Sequence, residues 1–102
     1  MKMDQISKVS EITYQDVADY IRLDEITGDD ANTLNTLITV SKAFMAQYTG
    51  RSEDGLDNYP DCVIVLLILC QDMWDNRALY VDNANLNKTV ETILGLHQVN
   101  LL

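Results

Sequence analysis

This sequence has no long hydrophobic run. The longest stretch, Cys62 to Cys70, falls far short of the ~20 apolar residues that a membrane-spanning helix needs. The first residues, Met1 to Gln5, have no apolar core of the signal-peptide kind. A single Pro and four Gly exclude collagen-like and low-complexity classes, and 47% hydrophobic residues are too many for wholesale disorder. The two cysteines, Cys62 and Cys70, would stand roughly 12 Å apart along one helix and cannot bridge each other. A reduced, cytoplasmic compartment is the expectation. Basic residues are also scarce, seven against sixteen acidic ones, for a net charge of -9. Lys2, Lys8, Arg22, Lys42, Arg51, Arg77 and Lys88 stand singly, without the basic patch that nucleic-acid binding needs. An acidic surface would still suit a channel wall past which DNA slides.

At 102 residues the chain has room for one compact domain with a small core, burying about two-thirds of the surface the unfolded chain exposes. Residues 1–12 show no sustained period and predict a mobile or partner-dependent N-terminal extension, with order starting at Thr13. Thr13 and Asp16 form a capping-box pattern that opens a short helix over 14–22, and Thr27-Gly28 ends that unit. Asp29 and Asp30 supply an N-cap and first-turn carboxylates for a second helix. Its apolar face carries Leu34, Leu37, Ile38, Ser41, Phe44, Met45 and Tyr48, and Gly50 is placed as a left-handed cap.

A polar loop over 51–59 leads to Pro60, at the first position of a third helix that the spacing carries without a breaker to about Tyr80. Its first half is apolar on every side, as befits a helix buried by its own fold or by a neighbouring subunit. After a turn-rich loop over 82–87, a short fourth helix spans about Lys88 to Leu96. The expected fold class is all-α: a small bundle of about four helices, two long and two short, forming one domain over 13–102.

Enzymatic constellations are missing from the sequence. It has no G-x-S-x-G elbow, glycine-rich phosphate loop or His/Cys zinc spacing, and two cysteines with one histidine cannot complete a tetrahedral zinc site without carboxylates. The acidic loops starting at Glu53, Asp54 and Asp82 fail the EF-hand pattern. His97 has only Gln98 and Asn100 as polar neighbours in sequence. No catalytic residue, cofactor or metal is expected.

Three short segments close the first three helices: Tyr20-Ile21-Arg22-Leu23-Asp24, Tyr48-Thr49-Gly50-Arg51 and, after Pro60 and the apolar run, Trp74-Asp75-Asn76-Arg77. Their order and spacing over roughly residues 12–97 resemble the phage head-tail connector family, also catalogued as DNA-packaging proteins. That family typically carries a Trp-Tyr-Glu-Asn-Arg-like segment, whereas Asp75 follows Trp74 directly here, and His97 stands where the family often has Arg. The resemblance implies a non-enzymatic subunit that forms a ring beneath the portal of a tailed phage or prophage. It would join the portal to the next neck or tail component, in the host cytoplasm during assembly and then in the virion neck, close to DNA without binding it specifically.

The structural and assembly candidates are Arg22, Tyr48, Thr49, Gly50, Arg51, Pro60, Leu66, Leu67, Trp74, Asn76 and Arg77. Assembly is expected to use the third helix and its flanking loops, and Arg77 is expected to tie that helix to the first through Asp16, Asp19, Asp24 or backbone carbonyls ending another helix, with a contact to the neighbouring subunit as the second reading. The alternative function is a small acidic interaction or regulatory module binding one partner protein. An enzyme or metal-binding protein using carboxylates is the third reading.

Overall fold

The computed structural model describes residues 6–99. Four α-helices, α1 (Tyr14–Tyr20), α2 (Gly28–Thr49), α3 (Cys62–Asp75) and α4 (Lys88–His97), are joined by segments that include 3-10 turns at Val9–Glu11, Asp54–Asn58 and Asn83–Asn85. No strand occurs among the described residues, so the fold is the small all-α bundle that the periodicity predicts. The Cα radius of gyration, 13.1 Å, suits a compact chain of this size.

Local chemistry accounts for the helix starts. Thr13 caps α1 and Asp16 reaches back to the Thr13 amide at 2.9 Å, a reciprocal capping box. The same device recurs one helix later, where the Thr27 hydroxyl accepts from the Asp30 amide and the Asp30 carboxylate accepts from the Thr27 amide, both at 3.1 Å. Thr27 therefore opens α2 rather than closing the unit before it, and Asp29 lies inside the helix. Asn87 caps α4 through its side-chain oxygen, which accepts from the Thr89 and Val90 amides.

Packing follows the apolar faces. Leu34, Leu37, Ile38, Ser41 and Met45 of α2 are buried, and α2 packs chiefly on α3, which in turn carries α4. Along α3, Cys62, Val63, Val65, Leu66, Leu67, Leu69, Cys70 and Met73 are all buried within this one chain. Within the apolar run 62–70, only Ile64 and Ile68, one turn apart, remain partly open. Leu66 and Leu67 are thus core residues, and the expected assembly role for them does not fit their positions, because neither presents surface to a neighbour.

Two further expectations are corrected. Within the segment read as an extension, Val9 and Ile12 belong to the core, and the Ser10 amide and hydroxyl both donate to Asp57, at 3.0 and 2.7 Å. The ordered domain therefore begins before Thr13; residues 1–5 of the predicted extension lie outside the described residues. The loop after α2 is likewise anchored, since Leu56 within its 3-10 turn is fully buried. Finally, α3 has 14 residues and ends at Asp75, well before Tyr80. Arg77 turns left-handed with φ 55°, the Ala78 amide donates back to the Met73 carbonyl at 3.0 Å, and the Arg77 amide donates to Trp74 at 3.3 Å. That hydrogen-bond pair is a Schellman motif, which stops a helix while satisfying its last carbonyls.

Candidate functional site

The three segments that close α1, α2 and α3 are all helix terminators. Arg22 repeats the geometry of Arg77: φ is 64°, its amide donates to Asp19, and the Leu23 amide donates to Ala18 at 2.9 Å. Gly50 caps α2 with φ 74°, and an added Cβ would make only ordinary contact, 3.6 Å from the Val99 side chain, so it is the left-handed backbone that favours glycine. Asn76 caps α3 and donates its side-chain amide to the Asp72 carbonyl at 2.8 Å.

Two places gather candidate side chains. One is an open cleft of about 210 Å³ where α3 ends beside the start of α2, lined by Asp30, Thr33, Leu37, Met73, Trp74, Arg77, Ala78 and Leu79. Trp74 is half-buried in it, whereas Leu79 is 60% exposed and the adjoining Tyr80 67% exposed. Arg77 does not make the predicted tie to α1. Among the described residues its side chain forms no hydrogen bond or ion pair, and the same holds for Arg22. The early end of α3 explains this, because the left-handed turn leaves Arg77 exposed at the cleft rim.

The second place lies where the ends of α2 and α4 meet the start of α3. Thr49 is fully buried, its hydroxyl donates to the Met45 carbonyl at 2.8 Å, and its carbonyl accepts from the Val99 amide at 2.7 Å. Gln98 donates to the Tyr48 carbonyl at 3.2 Å, so the segment after α4 is fastened to the last turn of α2. Arg51 donates through Nε to the His97 carbonyl at 2.6 Å and lies over the Tyr59 ring, 4.8 Å from its centroid. Tyr59 stacks on the His97 ring at 4.1 Å, and His97 Nε2 stands 2.8 and 2.9 Å from the two Asp61 oxygens. Beside them is the buried Cys62, whose thiol burial and the adjacent Asp61 carboxylate push up to about 11. Pro60 is exposed and precedes Asp61 in the turn that leads into α3, one position ahead of the N-cap rather than inside the helix.

No protein-family model, curated protein or solved structure matches the chain. Tyr59, Asp61 and His97 were not among the candidates from sequence. The Asp61–His97 pair spans 36 positions, and no local pattern signals such a meeting. Arg51, Tyr48, Thr49 and Gly50 do converge there, whereas Trp74, Asn76 and Arg77 sit at the end of α3. Arg22 stands alone after α1. No described helix is long and apolar enough to cross a membrane.

Proposed function

We propose that this chain is a ring-forming head-tail connector subunit of a tailed phage or prophage. It joins the portal to the next neck or tail component, assembles in the host cytoplasm and ends in the virion neck. The observation that carries this reading is the exposed guanidinium of Arg77, which has no hydrogen bond or ion pair among the described residues, at the rim of a mixed polar and apolar cleft beside Trp74 and the exposed Leu79. A closed ring needs a heterologous contact, in which two different faces of each subunit meet. One face is this cleft with its exposed cation. The other is drawn from a chain carrying sixteen carboxylates, where an acceptor for Arg77 is easily found. Leu96 on α4, 75% exposed, adds an apolar position on another helix.

The same net charge of -9 suits a conduit that DNA passes without adhering. Arg51 is already engaged by His97 and Tyr59, which removes it from any basic face with Lys42 and Lys88.

Native mass spectrometry and negative-stain microscopy at high protein concentration, alone and with a tailed-phage portal protein, test the proposal. Rings that disappear in Arg77→Ala and Trp74→Ala are the expected result. Monomers under every condition refute it, and a stable one-to-one complex with another protein favours the small interaction module instead.

A further inference from the structure

We propose that Asp61, Cys62 and His97 form a zinc site that clamps the start of α3 to the end of α4. Their donor atoms, a carboxylate oxygen, the thiol sulfur and an imidazole nitrogen, all lie within 4.8 Å of one another. Zinc prefers this mixed set, whereas calcium and magnesium demand oxygen ligands throughout. Ligand bonds of ~2.0–2.3 Å in a tetrahedron put donor atoms roughly 3.3–3.8 Å apart. The His97 and Asp61 donors, now 2.8 Å apart, would open slightly, and the widest gap would close by about 1 Å, within the reach of side-chain rotation.

Three features show a prepared site. Asp61 is the N-cap residue of α3 yet makes no side-chain cap hydrogen bond, so its carboxylate is free to face His97. Cys62 is fully buried and its sulfur makes no hydrogen bond among the described residues, whereas the other buried thiol, Cys70, lies 3.5 Å from the Ser41 hydroxyl. His97 is held by its surroundings: Tyr59 stacks on the ring and Arg51 grips the carbonyl. The two contacts fix where the imidazole stands, so little ordering remains for a metal to impose.

The chemistry balances without a redox partner. The Cys62 S–H bond breaks, its electron pair forms the S–Zn bond, and the proton leaves to solvent. The thiolate and the Asp61 carboxylate together neutralise Zn²⁺, and a solvent water fills the fourth position on the exposed Asp61 side. Because the thiol proton must leave before the sulfur can bind the metal, uptake strengthens as pH rises.

The test is titration of the full chain with Zn²⁺ by calorimetry and with Co²⁺ by absorption. We expect one metal per chain, a thiolate-to-cobalt charge-transfer band, proton release and a higher Tm. Cys62→Ala, His97→Gln and Asp61→Asn should each weaken binding at least tenfold, while Cys70→Ala binds as wild type does. Far-UV circular dichroism identifies any variant that fails to fold; Asp61→Asn, at an exposed position, serves if the others do. No metal uptake by the wild type, or uptake with no thiolate band that survives Cys62→Ala, overturns the site.

Discussion

Arg22 and Arg77 occupy positions where glycine would be expected, and replacing each with Gly should stabilise the monomer. An L-residue in the left-handed region, with φ 64° and 55° here, carries strain of roughly 1–2 kcal/mol from its Cβ. Glycine relieves that strain but has more freedom in the unfolded chain, which offsets about 0.4–1 kcal/mol. Neither guanidinium has a hydrogen bond or ion pair to lose among the described residues. The net gain is about 0.5–1 kcal/mol per site, or about 2–8 °C in Tm for a domain of this size. Thermal unfolding of Arg22→Gly, Arg77→Gly and the double variant, followed by far-UV circular dichroism on monomeric protein, reads this directly. A melting temperature at or below wild type would refute the reasoning, by showing that these side chains make stabilising contacts outweighing the backbone strain. Under the connector reading, Arg77→Gly should also melt higher and yet assemble worse, a combination that a purely structural arginine would not produce.

Leu67→Ala should cost about 2–5 kcal/mol in urea unfolding of the monomer, because the side chain is fully buried; a cost below 1 kcal/mol would place it outside the core. The Ser10 hydrogen bonds, first that from the side chain, hold the Asp57 carboxyl below its ordinary value of 3.8. A lowered folded-state pKa adds stability that is present above 3.8 and lost as pH falls through the lower value, so acid unfolding should release the 8–12 segment early. Ser10→Ala should remove that acid-dependent step in hydrogen exchange. Burial first, and Asp75 second, push the Asp72 carboxyl upward, a shift whose stabilising contribution exists only at acid pH and is lost as pH rises through the raised value. Asp72→Asn should therefore stabilise the fold at neutral pH, by about 0.3–1 kcal/mol from the helix dipole that a carboxylate in the last turn opposes; lowered stability in urea unfolding would contradict this. No gel shift of duplex DNA is expected at physiological salt, and a micromolar, salt-dependent shift would contradict the passive channel role.

The sequence alone determined whatever depends on neighbours within about one helical turn. Thr13 with Asp16 marks a capping box, Gly50 marks a left-handed stop, and the spacing from Leu34 to Met45 marks one buried face; each rests on local hydrogen bonds or periodicity. The same logic misplaced the end of α3, because Met73, Trp74, Arg77 and Tyr80 keep helical spacing past Asp75 and no glycine warns that Arg77 turns left-handed. The tertiary structure decided what depends on packing across the chain. It put Val9 and Ile12 in the core, closed the sides of Leu66 and Leu67 with the chain's own helices, and left Arg77 without a carboxylate partner among the described residues. It also brought His97 onto Asp61 across 36 positions, a meeting that arises only when α4 docks on α3 and Thr49 takes the Val99 amide. Periodicity reports which face of a helix is apolar, whereas the partner covering that face is chosen by the packing of all four helices together.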